Sequence, residues 1–398
     1  MLGFSCTSRE RCDEIWPATR FIVCAGGRLC HSALAAVRRR PDHLAGLAGR
    51  VAVDLVITGA GSRGPCHQCA GGHDLPARSL ALQRARQAVL GVQAVAVDEA
   101  RSTKTLGQSR SGSGVLIGAD GLVLTIGYLV LEAEQVHLVL DDGRRVPARV
   151  LGVDLATGFG LLQALVPLGP LGVAPVPLGR PQALAALAQE PLMIASGSQD
   201  ADGGVVSAAQ LLSRRAFAGT WEYHIEGALF TAPPRRDHSG AGLFNAAGEL
   251  VGIGSLLLPN ALPDNDPSGA TPARRSGNLF VPVDLLTPIL AELRSTGFSA
   301  ASRRAWLGMN CSVQDGQIRV MRVSDDSPAD VAGLQAGDRI LRIDGTEVRA
   351  LDRLWLTLWQ GGAAEREVAL DIERNDAVQT LRVYSVDRMK TLRRAEGI

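Results

Sequence analysis

One serine stands where a nucleophile could work. Arg235-Arg236-Asp237-His238-Ser239-Gly240-Ala241-Gly242 is a run of charged and small residues, and Leu243 to Ile253 behind it reads as strand, turn and strand. A serine hydroxyl is a weak nucleophile until a neighbouring base takes its proton. The chemistry therefore turns on a base and on a carboxylate to orient it. The nearby histidines do not offer one. His238 directly precedes Ser239, and adjacent side chains on a tight turn seldom face each other. His137 reads as an outward residue of the strand Gln135–Val139, and His224 lies in the stretch Glu222-Tyr223-His224-Ile225, also read as strand. Each is read as a surface or internally satisfied histidine.

The elements that must hold this serine are short and numerous. Arg78 to Ala88 has helical spacing, and Val89 to Val97 reads as a strand. Gly112 to Thr125 is strand, Asp120-Gly121 turn and strand. Scarce aromatics, at 4%, with 45 Gly and 20 Pro, suit many strands and turns. Pro259 to Asn278 reads as an exposed loop, and residues 295–304 as a linker.

The run Gly112-Ser113-Gly114-Val115-Leu116-Ile117, the segment Asp142-Gly143-Arg144 through Gly152-Val153-Asp154, then Gly204-Val205-Val206-Ser207-Ala208, the serine loop, and Leu279-Phe280-Val281-Pro282-Val283 together closely resemble the HtrA/Deg family of trypsin-type serine proteases. The resemblance implies a mainly β protein, a chymotrypsin/trypsin-like double β-barrel over 76–294, with its cleft between the barrels. It also locates the triad. Where the family has TNAHV, this chain has Thr125-Ile126-Gly127-Tyr128-Leu129-Val130, so Tyr128 holds the histidine position. Gly158 holds the aspartate position, with Asp154 four residues away. A phenol of ordinary pKa about 10 is a poor base at neutral pH. The GNSGGP pattern becomes Asp237-His238-Ser239-Gly240-Ala241-Gly242, which puts Asp237 in the oxyanion-hole position. The expectation there is a lost glycine conformation and a negative charge near a developing oxyanion. Ser239 is thus expected to be a vestigial nucleophile.

From Ala305 to about residue 390 the chain resembles an α+β PDZ domain of the kind that follows the protease in this family. Trp306-Leu307-Gly308-Met309 matches its carboxylate-binding loop, where successive amides around a glycine can cradle a C-terminal carboxylate. Ser327 to Leu334 reads as a Ser-capped, Pro-started helix stopped by glycine, and Leu351 to Gln360 as an amphipathic helix bearing Leu354. Leu307, Gly308, Met309 and Leu354 are the expected peptide-binding residues, against the plainer reading that the three large ones are only core.

Residues 1–75 break every periodicity and are expected to be poorly structured, the pattern a mis-called translation start would leave. Gly59-Ala60-Gly61-Ser62-Arg63-Gly64 follows an apolar run like a dinucleotide fingerprint, but Pro65-Cys66 stands where its helix should open. Cys66-His67-Gln68-Cys69 with His73 could hold zinc, but its only further partners are the distant Cys24 and Cys30. No metal and no cofactor is assigned. Six of the seven cysteines precede residue 70, so the main body is not disulfide-stapled. A net charge of +1 argues against a nucleic-acid partner. The longest uncharged run, Leu161 to Gly179, carries four prolines and cannot be a spanning helix.

Three functions are open at this point. The first is a pseudoprotease scaffold that binds proteins or peptides with free C-termini. The second is an active serine endopeptidase using Ser239 with a non-standard base. The third is a structural or regulatory subunit, as a homo-trimer or in a hetero-oligomer with active family members. The resemblance implies a periplasmic place. Residues 1–20 show charges and no apolar h-region, so the chain as written is expected to be cytoplasmic.

Overall fold

The structure, a computed structural model, describes residues 74–187, 191–197, 204–262 and 275–393. All fall within one unit, Cys66–Ile398. The zinc and dinucleotide readings and the poorly structured segment lie outside the described residues, apart from its last two positions. So does 263–274 of the exposed loop.

The first barrel grows from α1 (Asp74–Gln87), β1 (Val89–Ala96), the single-turn α2 (Thr103–Leu106), β2 (Ser109–Leu116), β3 (Leu122–Ile126), the single-turn α3 (Gly127–Val130), β4 (Ala133–Val139), β5 (Arg145–Val153) and β6 (Phe159–Ala164). α1 begins at Asp74, upstream of the expected Arg78. Pro76 falls in the first turn, where a proline gives up only an N–H that has no intrahelical partner. The strands close in the order β1-β2-β3-β6-β5-β4, all antiparallel neighbours. The β2–β3 turn needs Gly121, whose φ is +86°. Gly114 lets strands approach, because a Cβ there would come within 2.7 Å of Val123. Phe159, Leu124, Leu161 and Leu162 fill the interior.

The second barrel comprises β7 (Leu192–Ser196), β8 (Val205–Ala218), β9 (His224–Ala232), β10 (Gly242–Phe244), β11 (Leu250–Leu258) and β12 (Gly277–Pro282), closed in the order β10-β11-β12-β9-β8-β7. Phe230, Phe244 and Phe280 are fully buried in it. The strand expected to include Glu222 and Tyr223 begins only at His224. Gly219–Tyr223 is instead a tight connection, closed by the Gly219 amide donating to Tyr223 O at 2.8 Å and by stacking of Trp221 on Tyr223.

After α4 (Leu290–Thr296) the chain does not run free. Ser299 and Ser302 are buried, and both hydroxyls donate to the Asp154 carboxylate of the first barrel. Asp154 also accepts from the amide and hydroxyl of Thr157, at 2.9 and 2.6 Å. Burial opposes the charge on Asp154, but the bonds from Ser299, Ser302 and Thr157 outweigh it and hold the carboxyl below its ordinary range.

The C-terminal part contains β13 (Ala305–Trp306), β14 (Met309–Gln314), β15 (Gln317–Val323), the single-turn α5 (Pro328–Val331), β16 (Arg339–Ile343), β17 (Thr346–Glu347), α6 (Leu351–Gln360), β18 (Glu367–Arg374), β19 (Ala377–Tyr384) and β20 (Val386–Asp387). The main sheet has the order β14-β15-β16-β18-β19, so β14 is an edge strand; β17 adds to β16, and β13 pairs with β20. Ser327 caps α5 by accepting from the Asp330 amide. Asn375 and Asp376 turn β18 into β19 with φ of +52° and +62°, the hairpin geometry their types favour. Leu354, Trp355 and Leu358 seat α6 on the sheet and are fully buried. The last described residues return to the first barrel. Glu132, buried there, accepts from the amides of Ser102 at 2.9 Å and Arg393 at 2.8 Å.

Among the described residues no helix is long and apolar enough to cross a membrane.

Candidate functional site: the serine loop and the amide cradle

Backbone contacts fix Ser239 between the barrels. The Ser113 amide donates to Ser239 O at 2.8 Å, and Gly240 N donates to Gly254 O at 2.9 Å. Gly240 has φ +74°, and a Cβ on it would lie 1.9 Å from Ser113 O. A glycine is required there for both reasons. Gly254 meets the same loop from the other side, where a Cβ would fall 1.9 Å from His238 O.

Tyr128, delivered by α3 at the end of β3, faces this serine. Its hydroxyl lies 2.8 Å from Ser239 Oγ and 2.8 Å from the carbonyl of Ser255. The phenol has one proton for two contacts, and a carbonyl can only accept. Where that proton serves Ser255, the Ser239 hydroxyl must itself be the donor toward Tyr128. Burial pushes the Tyr128 hydroxyl up to about 12, although its bond with Ser239 acts the other way. It is neutral across the physiological range, with no appetite for a second proton. Arg110 holds α3 in place by donating to Tyr128 O at 3.0 Å and Leu131 O at 2.6 Å.

No imidazole nitrogen is hydrogen-bonded to Ser239 Oγ among the described residues. His238 Nδ1 faces Arg235 O at 3.1 Å, and burial keeps this ring below its usual pKa. His224 lies 3.7 Å from Glu226.

Gly158 leaves no room for a carboxylate. Its φ is +84°, and a Cβ there would stand 2.8 Å from the hydroxyl of Tyr223. That hydroxyl donates to Thr157 O at 2.8 Å, in the same loop. Gly158→Asp is therefore expected to destabilise the fold by about 1–3 kcal/mol, from left-handed backbone and crowding together. A melting curve of the single variant checks this; an unchanged midpoint would show that Tyr223 can step aside.

Asp237 departs from the expectation. Its backbone is not in the left-handed region. Its carboxylate takes the Arg235 guanidinium, with Nε at 2.9 Å, and the Ser196 hydroxyl. Burial works against its charge, but Arg235 and Ser196 prevail and hold the carboxyl low. The negative charge is thus already paired, so the repulsion expected at this position is weakened.

Seventy residues on, three amides converge. Leu307 N, Gly308 N and Met309 N lie 3.2, 2.8 and 3.3 Å from one oxygen, Glu222 Oε1. Gly308 has φ +86°, and Ser327 closes the space beside it. The side chains of Leu307, Met309 and Leu354 are fully buried in the core of this part, so what faces Glu222 here is backbone.

The trypsin-like peptidase domain family matches residues 112–253, and the PDZ domain family matches residues 305–384. Serine endoprotease DegS of Haemophilus influenzae is 26% identical over 250 residues, 59% of this chain and 65% of that protein. A DegP-like periplasmic serine endoprotease of Pseudomonas fluorescens is 26% identical over 295 residues, 68% of this chain and 56% of that protein. The chain belongs to the HtrA/Deg family. A solved structure of the HtrA-type protease AlgW with a decapeptide is 21% identical, covers 78% of this chain and 98% of that one, and has a TM-score of 0.47. The chain spans between half and two-thirds of the length of the two curated HtrA/Deg relatives.

Sequence reasoning within the HtrA/Deg pattern leads to Ser239, Tyr128 and Gly158, and the structure brings the three loops together: the Tyr128 hydroxyl meets Ser239 Oγ, and Gly127 N donates to Gly158 O at 2.6 Å. It missed Glu222, Tyr223 and the proton economy at Ser255. A glutamate between two aromatics, Trp221 and Tyr223, was the available signal; it is 3% exposed, and a carboxylate so buried must find donors.

Proposed function

We propose that this HtrA/Deg member is a peptide- and protein-binding scaffold whose serine site no longer cuts. The observation that carries the reading is the Tyr128 hydroxyl 2.8 Å from both Ser239 Oγ and Ser255 O. General-base activation needs a group within hydrogen-bond reach whose pKa lies near the working pH. A buried phenol held up to about 12 is the wrong acid–base partner for a serine at pH 7. Gly158 and Tyr223 support the same reading, because a histidine placed at 128 would find no carboxylate to orient it. Binding is left to the PDZ fold, which recognises a free carboxyl terminus by backbone amides and adds the peptide as a strand.

The test pairs a fluorophosphonate probe with unfolded casein. Wild type and Ser239→Ala are expected to label equally weakly and to leave casein intact. Labelling and turnover that disappear together in Ser239→Ala would return the protein to the active proteases.

A further inference from the structure

We propose that the β8–β9 connection, Gly219–Tyr223, is a built-in ligand of the PDZ groove, and that a partner's C-terminus must displace it. The inference rests on the binding role proposed above and adds the competitor.

Three observations coincide. The Glu222 carboxylate occupies the cradle of Leu307, Gly308 and Met309 amides, as a chain terminus would. Two residues back from Glu222, Thr220 O accepts from Cys311 N at 2.5 Å; Cys311 lies two residues beyond Met309. Stepping back along one segment while stepping forward along β14 is the register of an added antiparallel strand, and β14 is the sheet edge available for it. On the helix side, Trp355 Nε1 of α6 donates to Gly219 O at 2.9 Å. The connection therefore meets the cradle, the edge strand and α6, the three surfaces a docked C-terminal peptide would use.

The charge is provided for as well. Glu222 is buried, and the nearby guanidinium groups of Arg304 and Arg388 both feel its field. A carboxylate so placed is held by donors that would serve an incoming terminus equally well. The self-contact is intramolecular, so its effective concentration is high and it suppresses binding of weak ligands. When the competent state is only a fraction of the population, apparent affinity falls by that fraction.

The experiment uses the full chain and immobilised heptapeptides randomised over their last four residues, once with free carboxyl termini and once amidated. Glu222→Ala is expected to be retained on the acid pool about tenfold or more above wild type, a population shift of the kind just described, and on the amidated pool by neither protein. Glu222→Gln, close in shape and retaining the fold, is expected to shift in the same direction. Equal retention of wild type and both variants on the acid pool would overturn the built-in ligand while leaving the scaffold reading intact. Retention by none of them would remove both. Equal retention on the two pools would show that the cradle is not what binds.

Discussion

Gly240→Ala is expected to lower the melting temperature by about 6–12 °C, at roughly 2–4 °C per kcal/mol for a domain of this size. Two costs add. The residue sits at φ +74°, and the new methyl carbon would lie 1.9 Å from the Ser113 carbonyl, against backbone that cannot swing away. Left-handed strain and overpacking each cost about 1–3 kcal/mol, so a total of about 3 kcal/mol is expected. Gly172→Ala separates the two. Gly172 has φ +85° but nothing within 4 Å of its added methyl, so only the conformational part applies. Calorimetry of both variants decides: if they melt together, the close approach to Ser113 is not real. The loop would then be free to move, and the tyrosine contact at Ser239 would lose its fixed geometry.

Asp154→Ala is the second large effect, about 3–4 kcal/mol, because it leaves Ser299, Ser302 and Thr157 donors facing an apolar gap. The same carboxylate sets a pH dependence whose sign follows from its depressed pKa. A group more acidic in the folded than in the unfolded state contributes fully above its unfolded value of about 4. That contribution fades as pH falls through the lower folded value. Urea midpoints at pH 7 and pH 3 are expected to fall further for wild type than for Asp154→Asn. Parallel losses would mean that Asp154 is not the carboxylate that acid attacks.

Much of the architecture was legible because its signals are local. The Asp120-Gly121 turn, the Ser327-Pro328 cap and the stripe on α6 each announce themselves within a dozen residues, and each is where the reading put it. The roles proposed for Tyr128 and Gly158 were reachable only through the family pattern, since no property of either residue alone points to catalysis. What stayed hidden depends on residues far apart in the chain. Tyr223 fills the space at Gly158 across 65 positions, and Glu222 meets Leu307 across 85. At Asp237 half of the pairing was local, since Arg235 stands two residues before it, and half was not, since Ser196 is 41 residues upstream.

Glu132 and Glu222 give the C-terminal part an unexpected standing. Each is a barrel carboxylate that takes donors from beyond residue 305: the Arg393 amide for the first, beside the Ser102 amide of its own barrel, and the three cradle amides for the second. A protein shortened at residue 304 would keep both acids and lose those donors, leaving two anionic side chains to recruit water at a newly bared surface. The barrels and their tail are therefore one cooperative body in the matter of charge.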